Sequence, residues 1–167
     1  MKDKRISDAI ENVLNSQIQH EYNNAKVYRA MANCLEFNGW SGAAKLWKVY
    51  SKEEIGHAEK IIEYMQDRDC QPIIPGIEMP IQKYKGIKEI VNLSNDKEIT
   101  TTKQWTDIYT LALEEKDYLT MELAKEFLLE QREEEAKTIY WIDRIVMYES
   151  SNKPLGDIDK EMEKKVG

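Results

Sequence analysis

The chain has 167 residues, enough for one domain with a substantial core but short for two. Charged residues make up 33% and hydrophobic residues 41%, with seven glycines and four prolines, which is typical of a helical globular protein rather than a disordered or β-rich one. The net charge of -7 argues against nucleic acid and acidic membranes as partners and is compatible with attraction of cations.

Two long helices are predicted in the first part of the chain. Apolar residues recur at helical spacing over residues 6–35, and the Asn-Gly pair at 38–39 is a helix stop signal. Ser41 is the predicted N-cap of a second helix, which is expected to end near residues 67–69.

A proline-containing segment separates this pair from two further helices. Three of the four prolines lie in "CQPIIPGIEMPIQKYKG", residues 70–86, which predicts an ordered crossover instead of a helix. A third helix is predicted from Ile87 to Ala112, and a fourth with Asp117 as N-cap and an apolar face running from Leu119 to Ile145. The stretch "DIDKEMEKKVG" is expected to form a short fifth helix with a thin apolar stripe.

Four amphipathic helices with one long connection predict an all-α fold, a ferritin-like four-helix bundle with a B–C crossover, as a single domain over residues 1–167. No signal peptide and no apolar run long enough to span a bilayer is found, so we expect a cytoplasmic protein. Cys34 and Cys70 lack ligand-like spacing and are expected to be buried free thiols.

Acidic residues stand at core-facing steps of all four long helices. Glu21 lies seven residues from Leu14 and from Tyr28, on the apolar face of the first helix. Equivalent positions on the other three helices are occupied by Glu54 with His57, by Glu98 and by Glu134. Buried carboxylates cost several kcal/mol each unless they are protonated, paired or bound to metal, and no Lys or Arg is found at the same steps. Two divalent cations would neutralise four carboxylates.

An internal repeat supports a metal site. Glu98 follows Glu21, Gln131 follows Glu54 and Glu134 follows His57, in each case by 77 residues. Residues three apart share a helix face, so the Glu-x-x-His pair can bind one ion from the same side. An oxygen-rich set with one imidazole suits Fe(II) or Mn(II), and the lack of thiolates disfavours structural zinc.

The segments "LNSQIQHEYNNAKVY", "KEEIGHAEK" and "DYLTMELAKEFLLEQREEEAK" resemble a bacterial non-haem ferritin, and the match runs from about Ser7 to the C-terminal tail. The resemblance implies a ferroxidase that oxidises Fe(II) at a di-iron centre with O₂ or peroxide. It further implies a homo-oligomeric, hollow cage of 24 subunits that stores ferric mineral.

The resemblance assigns roles to the acidic residues. It implies that Glu21, Glu54 and His57 hold a first iron, and that Glu54 bridges to a second iron held by Glu98 and Glu134. These residues would form the catalytic centre, and they would bind the metal as substrate.

The second half of the repeat differs from that of the haem-containing bacterioferritins. Those proteins repeat a Glu-x-x-His there, whereas this chain has Gln131 close to the expected second iron. With fewer strong donors, the second site is hypothesised to be looser than the first. Haem is not expected, because Ile55 stands where the family's axial methionine follows the bridging glutamate.

Three further features carry two interpretations each. Tyr28 corresponds to the family's tyrosine beside the centre, where it can take part in oxygen chemistry, or it is a core tyrosine with a satisfied hydroxyl. Three further acidic residues resemble the ligands of a third iron site in bacterial ferritins, but they also fit an ordinary solvated helix face; they are Glu53, Glu130 and Glu133. His20 points about 100° away from Glu21 on a helix and is expected at the surface.

Other functions remain open at this stage. One is a non-storage di-metal oxidase or peroxidase of rubrerythrin-like type, with iron or manganese, although the cysteine-rich iron domain of rubrerythrins is not found. The other is a metal-free structural helical bundle, in which Glu54→Ala raises stability and leaves iron oxidation unchanged.

Overall fold

The computed structural model describes residues 4–166, which form five α-helices and no β-strand. The predicted domain limits, residues 1 and 167, lie outside the described part of the chain. The helices are α1 (Asp8–Phe37), α2 (Ser41–Asp67), α3 (Ile87–Glu114), α4 (Tyr118–Ser150) and α5 (Gly156–Lys164).

The four long helices form the predicted bundle. α1 packs on α2, α3 packs on α4, and α1 also contacts α3, while the non-helical segment between α2 and α3 is the long crossover. The all-α, ferritin-like prediction is therefore confirmed, and its basis is the 3.6-residue period that gives each helix one apolar face.

Most helix ends follow the predicted signals. Asp117 is the N-cap of α4, and its Oδ1 accepts a hydrogen bond from the Thr120 backbone N–H at 3.2 Å. α1 ends at Phe37, and Gly39 has a φ of +84°, a left-handed conformation that glycine adopts without steric cost. At the start of α1, the Ser7 hydroxyl accepts from the Ile10 N–H at 3.1 Å.

The prediction that Ser41 caps α2 is wrong by one residue. Ser41 is the first residue inside the helix, and the N-cap is Trp40, whose side chain makes no capping hydrogen bond. The capping group comes from α5 instead, where the Asp159 carboxylate accepts from the N–H groups of Gly42 at 3.1 Å and Ala43 at 2.7 Å. A carboxylate at this position satisfies free donors and complements the positive end of the helix dipole.

The core consists of two apolar clusters with polar residues between them. One cluster surrounds Trp47 and Trp141 and includes α5, and the other surrounds Trp105 and Phe127 at the opposite end of the bundle. Between them along each helix lie the buried polar side chains Glu21, Asn24, Ser51, Glu54, Ser94, Glu98, Thr101, Gln131 and Thr138. The acidic residues are thus enclosed by apolar packing on both sides.

Two expectations about burial are corrected. Leu119 was predicted on the apolar face of α4 but is 61% exposed, because it lies in the first turn and lines a surface groove with Arg5 and Lys60. Both cysteines are free thiols, but only Cys70 is buried, and Cys34 is half-buried beside the crossover.

The thin apolar stripe of α5 consists of Ile158 and Met162, which are both fully buried against the cluster around Trp47. Within residues 4–166, no helix has the length and apolar character that crossing a membrane requires.

Candidate metal centre

Three of the predicted ligands converge inside the bundle. One ligand atom from each of Glu21, Glu54 and His57 lies within 4.8 Å of the others. The His57 Nδ1 atom is 3.9 Å from Glu21 Oε2 and 3.8 Å from Glu54 Oε2, and the edge-to-face contact with Phe127, at 5.7 Å between ring centroids, orients the imidazole. α1 supplies the first residue and α2 the other two, as the sequence predicts.

Two oxygens in this group are buried without a hydrogen-bonding partner among the described residues. They are Glu21 Oε2 and Glu54 Oε2, the same atoms that face His57 Nδ1. The other oxygen of Glu21 accepts from the Gln17 side-chain amide at 2.7 Å, which fixes the carboxylate's orientation. A buried, unpaired carboxylate oxygen is costly, so this set of donors fits a divalent cation.

The protonation of these carboxyls reflects their surroundings. Burial raises the pKa of Glu54 to about 8; the adjacent Glu21 carboxyl acts in the opposite direction, and the charges of Glu98 and Glu134 add to the increase. Burial also raises the pKa of Glu21 well above its ordinary value, with a further contribution from the charge of Glu54. Without a cation the Glu54 carboxyl holds a proton near neutral pH, and a bound cation has to displace it.

The second half of the predicted centre is held together by protein groups. The Tyr28 hydroxyl donates to Glu98 Oε1, and the Gln131 side-chain amide lies 3.1 Å from both Glu98 Oε2 and the Glu98 backbone oxygen. Burial raises the pKa of Glu98. Within the described part of the chain, the compact 4.8 Å group does not extend to Glu98 or Glu134.

Glu134 has a basic partner that the sequence analysis missed. The Lys137 ammonium donates to Glu134 Oε1 at 2.8 Å and lies 4.0 Å from Glu53 Oε2. The expectation that no Lys or Arg neutralises the carboxylates is therefore wrong for this one. The available signal was the spacing of three residues, which lets a lysine fold back over the preceding turn.

The residues of the predicted third iron site lie at the solvent edge of the centre. The Glu53 and Glu130 side chains are 40% and 45% exposed, and Glu133 is exposed. Glu130 Oε2 lies 3.9 Å from the Lys60 ammonium and 4.0 Å from His57 Nε2. Among the described residues these three carboxylates form no compact group, so the third site stays a prediction.

The prediction of a surface position for His20 is wrong. Its Nε2 lies 2.7 Å from the Thr101 hydroxyl and 3.0 Å from the Asn24 amide, between α1 and α3. Burial lowers the pKa of His20 to about 4, and the nearby Lys97 charge contributes. His20 therefore stays neutral at physiological pH, as part of a polar cluster that adjoins Glu21.

Comparison with protein families independently indicates the family to which the chain belongs. Residues 11–147 match the family profile named Ferritin and described as "Ferritin-like domain". A protein of Staphylococcus saprophyticus named bacterial non-heme ferritin is 32% identical over 162 residues, which cover 97% of this chain and 95% of that protein. A Haemophilus influenzae protein, named a probable bacterial non-heme ferritin-like protein, is 27% identical over 94% of this chain and 95% of its own length.

Comparison with solved structures points to the same family. The crystal structure of an open pore ferritin from the hyperthermophilic archaeon Archaeoglobus fulgidus superposes with a TM-score of 0.91 at 25% identity. The similarity covers 95% of this chain and 97% of the archaeal chain, so it extends over nearly the whole of both chains.

Proposed function

Because this chain belongs to the bacterial non-haem ferritin family, we propose that it is a ferroxidase and iron-storage subunit with iron as its substrate. The observation that carries this proposal is the pair of buried oxygens, Glu21 Oε2 and Glu54 Oε2, which face the His57 imidazole and have no hydrogen-bonding partner within residues 4–166. Such an arrangement is costly in a structural bundle but suits a site that receives a cation.

In this proposal two Fe(II) ions bind side by side in a single di-iron domain. Glu21, Glu54 and His57 hold the first ion, and Glu54 also reaches the second, which Glu98 and Glu134 hold. Each Fe(II) gives up one electron, and the pair of electrons reduces O₂ to peroxide or peroxide to water. The protein positions the two ions at roughly 3.5–4 Å and leaves room for the oxidant.

The two positions are proposed to differ in affinity. The first set already converges, whereas Glu98 is engaged by Tyr28 and Gln131 and its partner Glu134 is paired with Lys137. Hydrogen bonds and an ion pair have to rearrange before a second ion binds. Oxidised iron is therefore expected to leave from the second position.

Two additional roles belong to the same proposal. Tyr28 donates to Glu98, so it can orient this ligand and supply a proton or an electron during oxidation. Glu53, Glu130 and Glu133 form a third, weaker iron site on the side that faces the mineral. No haem is expected.

We further propose that the chain assembles into a homo-oligomeric cage of 24 subunits. The crossover exposes Ile73, Ile74, Met79 and Ile81 by 61% to 87%, an apolar surface that favours burial against another copy. Relatives of nearly the same length carry the name ferritin, in agreement with an assembly that stores iron.

The test is aerobic Fe(II) oxidation by wild type and His57→Ala, on particles whose mass is measured by light scattering. His57→Ala is expected to slow oxidation by at least about tenfold, because the first ion loses its only nitrogen donor. His20→Ala is the matched control, since His20 is the chain's other histidine and lies outside the proposed ligand set. This control should oxidise iron at nearly the wild-type rate.

Equal rates for wild type and His57→Ala contradict the ferroxidase proposal. Rapid oxidation by a dimer that retains no mineral would instead identify a non-storage di-metal oxidase or peroxidase. Metal analysis of protein purified without added iron separates iron from manganese occupancy.

A further inference from the structure

Lys137 places a positive charge beside the Glu134 carboxylate, which is proposed to bind the second ion. Its ammonium lies 2.8 Å from Glu134 Oε1. A metal bound to that carboxylate would lie about 2.0–2.2 Å from an oxygen, so the ammonium and the metal would repel each other strongly at such close range. The first position differs, because Glu21 Oε2 and Glu54 Oε2 have no hydrogen-bonding partner among the described residues.

We propose that Lys137 is a displaceable counter-ion for the second cation position. Its ammonium neutralises Glu134 in the metal-free protein and is repelled from the carboxylate when a divalent ion binds there. This inference rests on the proposed function, since it assumes that Glu134 is a ligand of the second ion. Lys137 is a positioning residue that acts through Glu134 and has no contact with the oxidant.

The structure offers a place to which the ammonium can withdraw. Lys137 lines a cavity of about 470 Å³ between α2 and α4, together with Tyr50, Glu53 and Glu133. The ammonium is already 4.0 Å from Glu53 Oε2 and 5.9 Å from the centre of the Tyr50 ring. Because the side chain is 40% exposed and flexible, a small rotation exchanges one carboxylate partner for another.

This exchange of partners lowers the affinity of the second position only. Binding at Glu134 breaks an ion pair with a lysine, whereas the first ion displaces a proton from Glu54 and meets no ammonium on Glu21 Oε2 or Glu54 Oε2 among the described residues. A partly exposed ion pair changes a binding constant by roughly two- to fivefold. When the second ion leaves, the ammonium returns to Glu134 and restores the charge balance. This return favours release of the ion towards the cavity between α2 and α4.

The test is an anaerobic calorimetric titration of the metal-free, fully assembled protein with Co(II), which reports binding without oxidation. Lys137→Gln is expected to lower the second dissociation constant by about three- to fivefold and to leave the first within about twofold. Lys165→Gln is the matched control, since Lys165 lines the same cavity and its loss changes the charge equally. This control should leave both constants near their wild-type values.

A second arm uses the Glu134→Gln background, in which Lys137→Gln should have no further effect on Co(II) binding. The role of Lys137 is overturned if two ions bind and Lys137→Gln leaves the second constant unchanged, or tightens both constants equally. The same holds if Lys165→Gln has an equally large effect. If neither wild type nor Lys137→Gln binds two Co(II) per chain, the proposed di-iron centre fails, and this inference fails with it.

Discussion

At the scale of single residues, the main feature of the metal centre is that some buried carboxylate oxygens have no hydrogen bond within the described part of the chain. Glu21 and Glu54 are almost fully buried, at 0% and 4% exposure, and each has an oxygen that no described residue contacts by a hydrogen bond. Glu98, by contrast, receives hydrogen bonds from Tyr28 and Gln131. Free oxygens at one position and engaged oxygens at the other explain why two similar ligand sets are expected to bind ions unequally.

The raised pKa of Glu54 predicts an unusual pH dependence for the metal-free protein. The folded pKa is about 8 and the ordinary value is 4.5, so between these values the folded state holds a proton that the unfolded state releases. This contribution to the free energy of unfolding is fully present below about pH 4.5 and is lost as the pH rises through about 8. Urea unfolding in the presence of chelator should therefore show stability falling over this range.

The control for this prediction is Glu54→Gln, which cannot ionise. The difference in stability between the variant and wild type should grow in favour of the variant as the pH rises from about 5 to about 8, reaching the order of a few kcal/mol. A difference that stays constant with pH would contradict the assigned protonation.

At the scale of secondary-structure elements, α5 completes the start of α2. Asp159 supplies the helix cap, and Gly42 lies so close to α5 that an added Cβ would be 2.1 Å from the Asp159 carbonyl oxygen. A short helix with only two buried apolar residues, Ile158 and Met162, is thereby fixed at one end of the bundle. Its docking depends on backbone approach and capping as much as on apolar burial.

Substitution of Gly42 tests this close approach. Gly42→Ala should displace α5 and lower the midpoint of thermal unfolding, because the contact is with rigid backbone. Gly56→Ala is the matched control in the same helix, since nothing lies within 4 Å of its added Cβ. The control should stabilise the protein by about 0.5–1 kcal/mol, because alanine is the better helix former.

The Asp159 cap can be tested separately. Asp159→Ala should reduce the free energy of unfolding by about 1 kcal/mol, since two N–H groups of α2 lose their acceptor. Asp157→Ala removes the same charge from the first turn of α5, where Asp157 pairs only with the exposed Lys160 among the ion pairs seen in residues 4–166. Equal losses in the two variants would show that the cap has no special role.

At the scale of the whole molecule, exposed apolar residues on the crossover suggest that one copy of the chain is incomplete. Ile74 and Met79 are 68% and 87% exposed, although the segment between α2 and α3 is otherwise ordered against the bundle, with the Ile73 N–H donating to Asn15 Oδ1 at 2.8 Å. An apolar strip held in a fixed conformation is suited to contact with a second copy.

Ile74→Glu is therefore expected to reduce the particle mass. A charge buried at an interface between copies costs several kcal/mol, so light scattering should show smaller assemblies at equal protein concentration. Gln71→Glu, an exposed polar position in the same segment, adds the same charge and should leave the mass unchanged. An unchanged mass for Ile74→Glu would exclude the crossover from the interface.

Much of this molecule could be predicted from its sequence because helix periodicity is local. A period of 3.6 residues decides which side chains share a face, so the bundle, the crossover and the core-facing positions of Glu21, Glu54 and His57 could be derived from spacing. The grouping of these three residues around one ion was implied by the resemblance to ferritins. The Lys137 pair with Glu134 was also within reach of spacing, but a lysine three residues away has several possible partners.

The remaining features were decided by how the helices pack. Asp159 caps a helix 117 residues earlier in the chain, and Tyr28 donates to a carboxylate 70 residues later. His20 faces Thr101 instead of solvent for the same reason. Such contacts depend on the rotation and separation of neighbouring helices, which emerge from packing of the whole core, whereas the sequence by itself determines only the face on which each side chain lies.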